Sequence, residues 1–244
     1  MSNQRRFPEP SAPAAFRPTA SRAQRSSLAD DIEKQLRNAI IIGELPPGTR
    51  LTELEIAQQM ETSQAPVREA LQRLEHYGLV ERQSRTATYV TPISRDEMYE
   101  IALVRKTVES LAIEHTARCI RPDQCDELEV LVDQMRAAGR ANDMFTLASY
   151  DMEFHRRLLQ WSDKHALLRV WSPLYYQQQR FLVAAHPHAF PDLVEVADLH
   201  EAIVEVLRRN DPELAVQAIQ DHIVLIWDQH RIDSAILSHE QARA

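Results

Sequence analysis

Three histidines and one aspartate occupy positions that a helical reading buries. Asp151 and His155 are i,i+4 neighbours in an arc made by Met144, Leu147, Ala148, Phe154 and Leu158. His200 is central to Val196, Ala197, Ile203 and Val204, and His222 to Ala215, Ala218, Ile219 and Leu225. At about 100° per residue, three helices thus aim one carboxylate and three imidazoles into a core. A lone histidine on such a stripe is ordinarily a satisfied core residue, but burying a carboxylate without a cationic partner is expensive. A divalent metal supplies that partner, and a His3Asp set suits zinc first, then nickel or manganese. Arg105 lies inside the apolar arc of Met98, Ile101, Val108 and Ala112, where a guanidinium needs an anion. Glu109, one turn on, is either a plain ion-pair partner or part of an effector site. In the second case a small carboxylate is held by Arg105 and an open metal position. His115 faces the same arc as a weaker candidate, whereas His165, His186, His188 and His230 read as surface residues.

A second chemistry lies in the first third of the chain. On one short helix, Val67, Ala70, Leu71 and Leu74 form the apolar stripe, leaving Gln64, Arg68, Gln72 and Arg73 polar. Arg can bridge guanine O6 and N7, and Gln can pair with adenine in a major groove. Arg82 and Arg85 would meet phosphate or minor groove. Each is equally compatible with a solvated surface.

These residues need elements to carry them. Leu28, Ile32, Leu36 and Ile40 recur at i+4 and stop at Gly43. Thr52 with Glu55 is a capping box for a short second helix. Ser63 can cap a third, with Pro66 in its first turn and a stop at Gly78. The β-rich runs 79–82 and 87–90 read as two strands. Three helices and a hairpin in about 65 residues are the layout of a winged helix-turn-helix, placed at 26–93. Ser94 with Glu97 opens a run of about six helices over 94–236, near 94–120, 122–139, 143–162, 165–185, 192–209 and 212–236. Residues 1–25, with four prolines and five arginines, read as a disordered tail, and 237–244 as a second tail. The fold class is therefore mainly α, a winged helix-turn-helix followed by an all-helical bundle.

Composition narrows the function classes. Four glycines stand where about 17 would be usual, and none are clustered, which excludes a Gly-rich phosphate cradle. Cys119 and Cys125 form neither a disulfide framework nor a zinc pattern, consistent with a reduced cytoplasm. No apolar stretch approaches a membrane span. The net charge of -8 is uneven. Residues 1–95 carry 13 Lys and Arg against 11 Asp and Glu, while 96–244 carry 15 against 25. The first third is the part compatible with nucleic acid.

The run Ile42-Gly43-Glu44-Leu45-Pro46-Pro47-Gly48-Thr49-Arg50-Leu51, then Leu54-x-Ile56-Ala57, Ser63-Gln64-Ala65-Pro66-Val67-Arg68-Glu69-Ala70-Leu71 and Gly78-Leu79-Val80 resembles the GntR family of bacterial transcription regulators. The resemblance implies a homodimer on a palindromic double-stranded operator, with the third helix in the major groove. It places Arg50, Ser63, Gln64, Ala65, Pro66, Arg68, Gln72 and Arg85 at the DNA. Two positions depart from the family pattern. Gln64 stands where Arg is usual, exchanging a guanine reader for a neutral amide. Ala87 stands where the wing has Gly, so a tip at positive φ would be strained or reshaped.

The second half resembles the FadR-type C-terminal ligand-binding domain (FCD) of the same regulators. The matching residues are Val104-Arg105-x-x-Val108-Glu109, Asp151-x-x-Phe154-His155, Leu199-His200, and Asp211 with Ala215, Ala218 and His222. This implies Asp151, His155, His200 and His222 as metal ligands and a small organic acid as effector. A frequent Asn after the Asp-x-x-x-His helix is missing, with Lys164-His165 near that place. The leading expectation is a ligand-responsive repressor, not an enzyme. The alternatives are a purely structural metal, or a helical metallo-hydrolase using Glu109 or Glu201 as general base.

Overall fold

The computed structural model describes residues 20–84, 87–225 and 227. The amino-terminal unit is built from α1 (Ala20–Ile41), β1 (Arg50–Leu51), α2 (Glu53–Gln59), α3 (Gln64–His76), β2 (Val80–Ser84) and β3 (Ala87–Val90). The i+4 stripe of α1 packs on the apolar face of α3, so Ile32, Ile40, Leu71 and Leu74 form one core with Leu79 and Val90. The helix begins at Ala20, within the segment read as tail. Residues 20–25 lack Gly and Pro, so nothing stops propagation until Pro18. The tails at 1–19 and 237–244 lie outside the described residues.

The strands form an antiparallel sheet of order β1-β3-β2. β1 was not expected; its two residues pair Arg50 with Tyr89 and Leu51 with Thr88. Such a short pairing leaves no alternation to read. At the wing, Ala87 is buried in β3 and pairs with Ser84, and it is not among the positive-φ residues. The expected strain at Ala87 is therefore absent, because the residue belongs to a strand and not to the tip.

Among the described residues seven helices follow, where about six were expected: α4 (Arg95–Cys119), α5 (Pro122–Arg140), α6 (Met144–Trp161), α7 (His165–Trp171), α8 (Tyr175–Ala189), α9 (Val194–Leu207) and α10 (Pro212–Val224). The extra helix arises at Pro173. It cannot donate a backbone hydrogen bond, so the span read as one helix splits at a 3-10 turn, Ser172–Leu174. α4 packs on α10 and α6, and α5 lies against α6 and α9. Asn142, Asp163 and Asn210 take positive φ just past the ends of α5, α6 and α9. Short polar side chains tolerate this conformation, so the chain ends helices without spending glycine.

α8 joins the two units. Tyr176 packs on the amino-terminal core, edge-on to Tyr77, and Arg37 stacks on its ring at 4.4 Å. Buried Arg180 donates to the Thr91 carbonyl at 2.9 Å. Gln177 presses on Gly78, where φ is +69° and a Cβ would overlap the Gln177 amide. Gly78 thus meets both a conformational and a steric demand. No helix among the described residues is long and apolar enough to cross a membrane.

Candidate functional site

α3 presents an exposed polar face carrying Gln64, Ala65, Arg68 and Gln72. Thr52 caps α2 by accepting from the Glu55 amide, whereas Ser63 holds the N-cap position of α3 without a side-chain cap bond. Pro66 is buried, so it shapes the helix start and does not face DNA. Arg68 is held by Glu53 of α2, with Nε at 3.0 Å from both carboxylate oxygens. Arg82 of β2 reaches the same carboxylate at 3.6 Å. Glu53 thereby gathers an arginine of the third helix and one of the wing on one surface, and Arg68 holds its carboxyl below the ordinary range. Arg73 is turned away from that surface, paired with Asp30 and Glu69. Arg50 is exposed on β1, and Arg85 lies outside the described residues. Arg68→Ala should weaken operator binding by about 1–3 kcal/mol in an anisotropy titration, with a smaller effect on random-sequence DNA. Equal losses on both would make Arg68 a phosphate contact.

The second site is buried in the helical half. α6 contributes Asp151 and His155, α9 contributes His200 and α10 contributes His222. One ligand atom from each of the four lies within 4.8 Å of the others. His155 Nε2 is 3.2 Å from His222 Nε2 and 3.8 Å from Asp151 Oδ1, and His200 Nε2 is 3.5 Å from Asp151 Oδ2. Hydrogen bonds fix two tautomers. His200 Nδ1 donates to the Val196 carbonyl at 2.7 Å, and His155 Nδ1 donates to Glu109 Oε2 at 2.6 Å. With Nδ1 donating, each neutral ring offers its Nε2 lone pair, which at His155 can accept from His222 Nε2–H and in both rings is placed to ligate a cation. His200 Nε2 has no hydrogen-bond partner.

Burial lowers His200 to about 4 and holds His222 well below its ordinary value. Neutral imidazoles with converging lone pairs beside a carboxylate fit a divalent cation. His115 is half-buried and does not belong to this group.

The structure separates Arg105 from Glu109, which the sequence paired as effector residues. Glu109 accepts from Arg105 Nε at 2.7 Å, Trp171 Nε1 at 2.6 Å and His155 Nδ1. Burial would raise its carboxyl, but Arg105 and His155 hold it at about 2. Glu109 is thus committed to protein partners and orients His155. Arg105 keeps Nη2 buried without a partner. It lines a small cavity together with Asp151, His155, Gln178, His186 and His222.

His186 corrects the sequence reading, for it is buried and not a surface residue. Expecting the preceding helix to end at 185 put it on an end. With the restart after Pro173, Gln178, Leu182 and His186 fall at i, i+4 and i+8 on one face of α8, a signal present in the sequence. His165 and His188 are exposed as expected, and His230 lies outside the described residues.

Burial also depresses His186 to about 4. A histidine lowered on folding stays neutral while the unfolded chain, near 6.5, already binds protons. Stability is therefore present at neutral pH and withdrawn as pH falls from about 6.5 to 4. Each of His186 and His200 should remove about 2 kcal/mol from the metal-free protein between pH 7 and pH 5. Urea unfolding at the two pH values measures this, and an unchanged midpoint would mean that the rings are solvated.

A winged helix-turn-helix joined to a separate helical domain defines a DNA-binding transcription regulator. Two family models match the chain: "Bacterial regulatory proteins, gntR family" at residues 28–90 and "FCD domain" at 97–225. The chain belongs to the GntR family of bacterial regulatory proteins, and its second half is an FCD domain. It is 29% identical over 205 residues to the probable D-xylose utilization operon transcriptional repressor of Paenarthrobacter nicotinovorans, covering 84% of this chain and 89% of that one. It is 23% identical over 202 residues to the gluconate operon transcriptional repressor of Bacillus licheniformis, covering 81% and 83%. Among solved structures, Escherichia coli McbR/YncC superposes with a TM-score of 0.68 at 22% identity, over 83% of this chain and 98% of that one, a likeness of fold. These families are regulators and not enzymes, which removes the metallo-hydrolase alternative.

Proposed function

We propose that the chain is a ligand-responsive repressor. In this reading its FCD domain binds a divalent metal and a small carboxylate, and so alters operator binding in the cytoplasm. Asp151, His155, His200 and His222 would hold the metal, zinc in preference to nickel or manganese. A bound metal would supply a Lewis-acidic position for an anionic oxygen, and Arg105 would hold the other side of that anion. The single observation that carries this reading is the set of bare imidazole nitrogens facing Asp151, in a cavity where Arg105 Nη2 is buried and unpartnered. Buried polar groups are rarely left so, and a cation with an anion satisfies both at once.

Repression is supported by the names of the relatives, two of which are operon repressors. The homodimer is supported by exposed Tyr99, Leu103 and Leu111, which lie along one face of α4. Coupling is supported by α8, whose Gln178 and His186 line the cavity while Tyr176, Gln177 and Arg180 touch the winged unit. Ligand binding that favours one packing of α8 would bias how the recognition helices are presented.

The test is a melting-shift screen of small carboxylates on metal-loaded protein, repeated after EDTA, with operator affinity measured in parallel. The reading expects an acid that raises the melting temperature only with metal present and changes operator affinity. A melting temperature that falls with EDTA while operator affinity ignores both metal and acid would make the metal purely structural.

A further inference from the structure

The cavity that holds Arg105 carries three more unpartnered polar atoms, on Gln178, His186 and the candidate metal ligand His222, and the first two describe a ligand together with Arg105. Arg105, Gln178 and His186 are 4%, 4% and 2% exposed. Arg105 Nη2, Gln178 Oε1 and His186 Nδ1 are each buried without a hydrogen-bond partner, and all three residues line the same cavity. Their capacities differ. Guanidinium N–H only donates, so it asks for an anionic oxygen. An amide oxygen only accepts, so Gln178 asks for a donor, which a carboxylate lacks. A ring nitrogen does either, according to tautomer.

A bare aliphatic acid would satisfy Arg105 and leave Gln178 and His186 desolvated at a cost. Two groups on a small acid could answer Gln178, a hydroxyl or an ammonium. The ammonium is disfavoured by its surroundings. Arg105 is cationic, and Glu109 is already occupied by Arg105, Trp171 and His155. In the metal-loaded site of the proposed reading, Asp151 is the counter-charge of the cation. No carboxylate lining the cavity is left to balance a second positive charge.

We propose that the effector of this site is a hydroxy acid, with its carboxylate on Arg105 and its hydroxyl or hydroxyls read by Gln178 and His186 of α8. The inference rests on the carboxylate-effector reading and adds the group that sets specificity. A site built to hydrogen-bond a hydroxyl rejects the analogue without one, because its buried partners are then left unpaired.

The test uses full-length, metal-loaded protein and acids that differ only in hydroxylation: lactate against propionate, malate against succinate, gluconate against hexanoate. Alanine serves as the amino counterpart of lactate. Calorimetry should show at least one hydroxy acid binding about tenfold or more tighter than its deoxy partner, with alanine silent. Gln178→Leu and His186→Phe should each bring that ratio toward one while metal content and binding of the deoxy acid persist. Deoxy acids that bind as well as their partners would overturn the inference and leave the carboxylate reading standing. Failure of every acid would overturn both. The ratio in the unmutated protein decides the matter even where a variant does not fold.

Discussion

The double variant His155→Ala with His200→Ala is expected to purify without stoichiometric metal and to melt at the same temperature with or without EDTA. In the unmutated protein the four candidate ligands come from α6, α9 and α10, so a bound cation would tie three helices of one core together. A ligand bound only by the native state stabilises it by about 2.7 kcal/mol at a hundredfold excess over Kd, and more at higher excess. The variant should lose that whole increment, because Asp151 and His222 alone make a poor tetrahedral site. Absolute stability is the wrong readout. Removing two buried rings, one edge-on to Phe154 at 4.9 Å, creates a cavity with its own cost. The informative quantity is the difference between loaded and stripped protein, measured alongside elemental analysis. One metal per chain retained in the double variant would refute the assignment of these ligands.

How far the sequence reaches can be judged on particular residues. The α4 arc was legible because Met98, Ile101, Arg105, Val108 and Ala112 follow helical spacing, and all five are buried. His155 and His200 were legible for the same reason, since each is central to its stripe and buried to within 1%. The recognition helix was legible from its stop at Gly78 and its apolar stripe. What escaped were facts that periodicity does not carry. Pro173 restarts a helix and shifts the frame of everything after it, so His186 was misplaced by an error of a few residues. The partners of Glu109 include Trp171, 62 residues away, on a helix whose start near 165 was expected but whose packing against α4 no spacing reports. Spacing could pair Glu109 with Arg105 one turn earlier, but only the assembled bundle shows a third donor reaching the same carboxylate. The ends of α5, α6 and α9 were legible near 139, 162 and 209, but not the positive φ of Asn142, Asp163 and Asn210, which Asn and Asp reach at modest cost.

That three-way engagement makes Glu109→Gln a damaging change despite its conservative shape. The carboxylate accepts from two donors at Oε1, Arg105 and Trp171, and from His155 at Oε2. An amide of the same shape has one accepting oxygen and one donating nitrogen. If the oxygen stays with Arg105 and Trp171, the nitrogen faces the Nδ1–H of His155, donor against donor. Relief requires the His155 proton to move to Nε2, the atom that faces His222 and Asp151. A protonated Nε2 cannot ligate a metal. If the amide turns over instead, its nitrogen meets the guanidinium. In either case Arg105, 4% exposed, loses its counter-charge. Breaking a buried ion pair by removing one partner costs about 3–5 kcal/mol, which urea unfolding of the metal-free variant should show. Loss of a carboxylate that orients a ligating histidine typically weakens metal binding about 10- to 100-fold, which a competition titration with a chromophoric chelator should show. The two effects are separable. A large stability loss with metal affinity unchanged would mean that Glu109 serves only as the counter-ion of Arg105. Metal affinity falling along with stability would mean that one carboxylate both neutralises the anion-seeking arginine and sets the tautomer of His155.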